Sequence, residues 1–264
     1  MSPVIDISDR DRVRHLTLNR PQLHNAFDDG LIDALTTALQ DAAADDTIRA
    51  VMLTGAGASF SAGADLNWMR AMARASEAAN EQDSLRLAGL MRRLHYFPKP
   101  TVARVNGAAY GGGVGLIACC DIAIGVNGAK FGLTEVKLGL VPAVISPYVI
   151  AAIGLRQARR LFLTGELFDA TEALRIGLLH QRVEPEALDE TVAHTLATLT
   201  KAGPLAQREA KLLAVRGGGH NEADSAAEDA RNAALIARLR VSSEGQEGLS
   251  AFLDKRAPAW IDKG

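Results

Sequence analysis

The 264-residue sequence has only two cysteines, and they are neighbours, Cys119 and Cys120. Adjacent cysteines bridge only with strain and match no metal-ligand spacing. Buried free thiols in a reducing compartment are expected instead. Six histidines are scattered along the chain: His15, His24, His95, His180, His194 and His220. None has a partner at H-x-x-x-H spacing, so no metal site is expected and all six are read as structural. Charge of one sign is also lacking. The net charge of −2 leaves no global field to gather nucleic acid or an anionic membrane, and the pairs Arg92-Arg93 and Arg159-Arg160 read as solvated helix faces. No apolar run approaches the ~20 residues of a bilayer span. The leading MSPVIDISDRDR has no apolar signal core. A cytoplasmic protein without a membrane or nucleic-acid partner is expected.

What the sequence does contain is ordinary globular material, 48% hydrophobic and 23% charged, in a chain long enough for a sizeable core. VIDIS and VRHLTLNR read as strands closed by Pro21. DDGLIDALTTALQDAAADD places Leu31, Leu35, Ala38 and Leu39 on one helical face behind acidic residues. IRAVMLTG is a buried strand, GAGASFSAGADLNWM a loop of small residues, and 80–95 a helix stopped by Pro98 and Pro100. TVARVNG and DIAIGV are strands on either side of a short helix, GGGVGLIACC. From about 155 the pattern is almost wholly helical, apart from a short HQRV strand. The expected organisation is a mixed α/β core, 1–200, followed by a helical region, 201–264.

The stretch NGAAYGGGVGLIACCD, residues 106–121, is the densest glycine run. It is not a P-loop, because no Lys-Ser or Lys-Thr follows to reach a phosphate and hold magnesium. Gly113 to Ala118 does match G-x-G-x-x-G/A, with Glu135 twenty residues past Gly115. The helix between the two strands nevertheless has under about ten residues, where a parallel crossover needs roughly a dozen. Nor does DIAIGV end in an acid, as a dinucleotide fold requires. A third reading fits better. Glycines at a helix N-terminus expose backbone N–H groups with the positive end of the helix behind them, and such donors stabilise an oxyanion formed during a reaction. The small residues Ser61, Ala62, Gly63 and Ala64 of FSAGADL offer a second donor segment. Ser59 and Ser61 have no adjacent base that would make either a nucleophile.

Taken together, NRPQLHNAF, SFSAGADL, NGAAYGGGVGLIACCDIAIG, KFGLTEVKLGLVP and LTGELFDATEALRIGLL resemble the crotonase (enoyl-CoA hydratase/isomerase) superfamily, in order and over most of the chain. The resemblance implies an α/β fold of stacked ββα spiral turns with a C-terminal helical region that makes trimers or dimers of trimers. It implies an acyl-CoA thioester substrate and no metal or redox cofactor. It places the two oxyanion-hole amides at Ala64 and Gly112, with Gly111 beside the substrate. The Ala62 carbonyl and Leu66 amide fall by the CoA adenine, and Asp65 holds the loop. Trp68, Met69, Tyr110 and Tyr148 are candidates either for the pocket wall or for core packing. Arg20, or Lys255 from a neighbouring subunit, is a candidate for the CoA phosphates.

Many hydratases of the family flank a water with two glutamates. Glu135 in FGLTEV matches one, but Gly115 stands at the position of the other. A single glutamate also suits a double-bond isomerase, so both activities stay open, beside a catalytically silent CoA-binding or RNA-binding relative. KLGLVPAVISPYVIAAIG, VGLIACCD and RVSSEGQEGLSAFLDKRAPAW resemble a bacterial subgroup that hydrates branched glutaconyl-type CoA esters, such as 3-methylglutaconyl-CoA in leucine breakdown. Members of that subgroup share glycine at the Gly115 position. Two readings of Gly115 stay open: it makes room for a branched acyl group, with the substrate's carboxylate or a bound water replacing the missing glutamate, or it is a packing glycine in the short helix.

Overall fold

The computed structural model describes residues 3–219 and 221–261, which leaves His220 outside the described residues. The chain opens with an antiparallel pair, β1 (Ile5–Arg10) and β2 (Val13–Leu18). Helix α1 (Asp29–Ala44) follows, with the Asp28 side chain accepting from the Leu31 N–H as N-cap. Its buried residues Leu31, Ile32, Leu35, Ala38, Leu39 and Ala42 recur at helical spacing, so one stripe is committed to the core.

Three ββα turns are then wound on one another. The first is β3 (Ala50–Gly55), β4 (Ser59–Ser61), α2 (Leu66–Arg74) and α3 (Glu77–His95). The second is β5 (Thr101–Val105), β6 (Ala108–Tyr110) and α4 (Gly112–Cys119). The third is β7 (Ile122–Val126), β8 (Lys130–Gly132), a single 3-10 turn Glu135–Leu138, and α5 (Ser146–Thr164), which is interrupted at Gly154. After these come β9 (Leu167–Asp169), α6 (Ala170–Arg175), β10 (Gln181–Val183), α7 (Leu188–Lys201), α8 (Pro204–Gly217), α9 (Glu222–Val241) and α10 (Ser243–Leu253).

Each turn contributes one strand to each of two sheets. The larger has the order β1-β2-β3-β5-β7-β10 and the smaller β4-β6-β8-β9. The pairings β2/β3, β3/β5, β5/β7 and β7/β10 are parallel. β3 is buried along its whole length, as expected for a parallel strand covered on both faces. The parallel β5/β7 pair corrects the crossover argument made from sequence. The connection 106–121 contains β6 as well as α4, so it is long enough although the helix alone is not. The sequence reading also passed over β4, β6, β8 and β9, which are three residues each and too short to show an alternating pattern.

The C-terminal helices fold back on their own core. α9 packs along α3, while α10 contacts α2, α9 and the Glu135–Leu138 turn. Both cysteines are buried and free, and burial raises both thiol pKa values. Among the described residues no helix is long and apolar enough to cross a membrane.

Candidate active site

The smaller sheet sets the site. β4, β6 and β8 are parallel neighbours, with ends about 4.8 Å apart. Ala64, Gly112 and Glu135 each lie two or three residues past the carboxyl end of one of these strands. The three predicted residues are thus carried side by side, with Gly112 in the middle. All three line one cavity of about 800 Å³.

Close packing holds the three loops in register. Ala64 forms an isolated bridge with Phe27. The Phe27 N–H donates to the Gly63 carbonyl at 2.6 Å, and the Asp65 N–H to the Phe27 carbonyl at 2.8 Å. These bonds engage the amides around Ala64, whose own N–H has no backbone acceptor among the described residues. Asp65 caps α2 by accepting from the Asn67 and Trp68 N–H groups and pairs with Arg20 at 3.2 Å, so it anchors the loop. Gly111 has φ +49 and is free of side-chain capping. A Cβ there would meet Glu135 Oε1 at 3.0 Å, so only glycine in this left-handed conformation lets the glutamate lie against the loop. Gly112 opens α4, where the first N–H groups have no intrahelical partner. Two residues of the cavity wall thus carry amides without a backbone acceptor among the described residues, that of Gly112 with a helix N-terminus behind it.

Glu135 begins its 3-10 turn with its carboxyl group against the cavity. Its Oε2 is buried and has no hydrogen-bond partner among the described residues. Burial pushes its pKa up from 4.5 to about 7, only partly offset by a backbone hydrogen bond. The other carboxylate on the wall, Asp65, is committed to its cap and ion pair.

Ala62, Leu66, Gly111, Trp68, Met69 and Tyr110 also line the cavity. Leu66 is exposed, which places it at the open rim, with its N–H the first of α2. Gly115 and Tyr148 do not line the cavity, so their place among the substrate-binding residues is corrected and the packing reading of each holds. Tyr148 is buried and its ring lies 5.0 Å from that of His95, so it belongs to the interior between α5 and α3. A Cβ on Gly115 would lie 2.3 Å from Ile145 Cγ2 and 2.9 Å from Ile145 Cβ. The space freed by the missing glutamate side chain is filled by Ile145, which itself forms part of the cavity wall. Gly115→Glu is therefore expected to overpack the core and to cost about 1–3 kcal/mol in urea unfolding. Adding Ile145→Ala should recover much of that loss. Equal stability of Gly115→Glu and the parent would show that Ile145 does not fill the space.

Two further expectations change. Arg20 pairs with Asp28 at 2.8 Å and with Asp65, and donates to the Ala26 carbonyl at 2.6 Å. It is spent on the loop and is not available to phosphates. Lys255 is exposed beyond α10 and does not line this chain's cavity. Ser59 does meet a base, since His24 Nδ1 lies 3.0 Å from its Oγ. Ser59 is nevertheless buried and off the cavity, so the contact serves the loop.

The sequence reading missed the wall supplied by the C-terminal helices. Ile236 and Arg240 from α9, with Leu249 and Phe252 from α10, close the cavity opposite the core. No local signal marks them, because only the backfolding of α9 onto α3 brings them there.

Stacked ββα turns thus bring the Ala64 and Gly112 backbone and a buried carboxyl group of raised pKa to one cavity. The chain belongs to the enoyl-CoA hydratase/isomerase family, whose model matches residues 9–263. It is 36% identical to 2,3-dehydroadipyl-CoA hydratase of Escherichia coli over 98% of each chain. It is 34% identical to (E)-benzylidenesuccinyl-CoA hydratase of Thauera aromatica, covering 95% of this chain and 96% of the relative. The crystal structure of an enoyl-CoA hydratase from Shewanella pealeana superposes with a TM-score of 0.80 at 41% identity, over 97% of this chain and 96% of that one.

Proposed function

We propose that the protein hydrates the 2,3 double bond of an enoyl-CoA thioester, with 3-methylglutaconyl-CoA or a related branched glutaconyl-CoA as substrate. The observation that carries this reading is the buried Glu135 carboxyl group, with a pKa near 7, beside two unpaired amides. A group half ionised near neutral pH can both take and return a proton. The thioester carbonyl oxygen lies between the Ala64 and Gly112 N–H groups. Glu135 takes a proton from water as the water oxygen bonds to Cβ. The π electrons move onto the carbonyl oxygen as an enolate held by the two amides, and Cα then takes the proton back from Glu135. These steps need no metal or redox cofactor, and CoA enters as part of the substrate. The Ala62 carbonyl and the Leu66 amide, at the rim, suit the adenine end.

Two relatives support the acidic acyl group, since adipyl and succinyl are both dicarboxylic acyl groups. A homotrimer or dimer of trimers belongs to the same reading. Leu205 and Leu213, strongly exposed on α8, supply apolar surface for it to bury.

One observation favours a second activity. Glu135 is the sole uncommitted carboxylate on the described cavity wall, and a Δ3-Δ2 isomerase needs only one. Incubation with 3-methylglutaconyl-CoA, crotonyl-CoA and a 3-enoyl-CoA separates the cases through the absorbance of the conjugated thioester. Loss with the first two is the expected result. Gain with the third alone would make the enzyme an isomerase, and no change with any would leave a CoA-binding protein.

A further inference from the structure

Arg240 is a charged group on an otherwise apolar stretch of the cavity wall. It reaches the wall from α9, and Trp68, Ile236 and Leu249 line the same cavity. Its side chain is only 11% exposed, and its guanidinium lies 5.5 Å from the centre of the Trp68 ring. Both of its side-chain hydrogen bonds run from Nη1, to Asn80 Oδ1 at 3.2 Å and to Asp83 Oδ2 at 3.4 Å. Among the described residues none runs from Nη2 or Nε. A guanidinium has five N–H donors in a fixed fork, so this buried cation has donors left over.

Its counter-ion is also a poor match. Asp83 is shared with Trp68, whose Nε1 donates to Oδ1 at 3.2 Å. The contact with Arg240 involves one nitrogen and is long for a charge-assisted bond, which normally lies at about 2.7–2.9 Å. Arg–carboxylate pairs are frequently bidentate, and this one is not. Here the fork is held by Asn80 and Asp83 on one side and by the Trp68 face beneath, with the remaining donors uncommitted. That arrangement orients a cation without satisfying it.

We propose that Arg240 is the specificity residue for the acyl group, and that it receives a carboxylate at the end of the acyl chain remote from the thioester. The protein then selects dicarboxylic monothioesters over plain enoyl-CoA esters of the same length. The inference rests on the acyl-CoA reading of this cavity given above and assigns the acid-recognising side chain within it. Arg240 touches no reacting atom in this scheme. It binds the substrate and fixes the distance from the acid to the double bond.

The test uses two pairs of ligands on the full-length protein. Glutaryl-CoA and butyryl-CoA cannot be hydrated, and their affinities are read by calorimetry. Glutaconyl-CoA and crotonyl-CoA differ by the same carboxylate, and their kcat/KM values are compared. The parent protein should favour the acidic member of each pair by roughly 10- to 100-fold, the range of one charge-assisted hydrogen bond. Arg240→Gln should erase most of that ratio while changing crotonyl-CoA turnover far less, and Arg240→Lys should restore part of it. Equal affinity of the parent for glutaryl-CoA and butyryl-CoA overturns the inference, even if the glutamine variant fails to fold. So does an unchanged ratio in a folded Arg240→Gln protein. A glutaryl-CoA preference that Arg240→Gln abolishes upholds it, whether or not either unsaturated ester is hydrated, so loss of the hydratase reading is seen separately.

Discussion

Glu135→Gln is expected to lower hydratase kcat by roughly 10²- to 10⁴-fold, the usual contribution of a positioned acid/base, and at the same time to make the protein more stable in mild alkali. Both effects follow from one buried carboxyl group. Its folded-state pKa of about 7 lies above the ordinary 4.5, so between those values the folded chain holds a proton that the unfolded chain has released. Stability is therefore lost as pH rises from about 4.5 through 7, and the full loss is present above 7. The shift corresponds to a burden on the order of 3 kcal/mol, at 1.36 kcal/mol per pH unit. Glutamine has nothing to ionise, so the variant should match the parent near pH 4 and exceed it at pH 8. Urea unfolding at the two pH values measures the difference. The parent's kcat/KM should rise along a limb centred near pH 7, and that limb should vanish in the variant. A Glu135→Gln protein of full activity would remove Glu135 from the chemistry. One no more stable than the parent at pH 8 would show that the carboxylate is solvated in the folded state.

The second large effect concerns a backbone atom, which side-chain truncation cannot reach. Gly112→Pro deletes the amide proposed to hold the enolate oxygen. Gly112 is the first residue of α4, the helical position that tolerates proline best. Its added ring atoms would press on Phe27, since a Cβ at this position lies 3.0 Å from Phe27 Cε2. Gly112→Ala, which adds that contact but keeps the N–H, isolates the steric part. Loss of the donor is expected to reduce kcat by roughly 10²- to 10³-fold, with the alanine variant affected far less. If proline and alanine lose activity equally, the Gly112 amide carries no transition-state charge.

Much of this was legible in the sequence, for physical reasons that also show where legibility stops. β1, β2, β3, β5 and β7 are long enough for their apolar residues to declare them, and α1 and α3 show helical stripes. The glycines near the site were informative because each marks a close approach. Gly63, for example, has φ +80, and a Cβ there would lie 2.8 Å from the Tyr110 carbonyl oxygen. The small sheet was not legible, although it carries the site, because three-residue strands have no period. Gly115 was ambiguous for a different reason. A missing side chain leaves a space, and the sequence does not say whether solvent, substrate or a neighbour takes it. Ile145, thirty residues on, does so. Tyr148 and Arg240 exchanged expectations in the same way. The aromatic residue close in sequence to the site turned inward, and an arginine near the far end of the chain came to the wall.

That backfolding has a consequence for synthesis. Ala64, Gly112 and Glu135 leave the ribosome well before Ile236, Arg240, Leu249 and Phe252, which complete the same cavity. At translation rates of about 5–20 residues per second, several seconds separate synthesis of the donor loops from synthesis of the residues that cover the hollow. During that interval the nascent chain resembles a folding intermediate with a sticky open face. The last two described helices, made last, are thus the ones that cover this apolar surface.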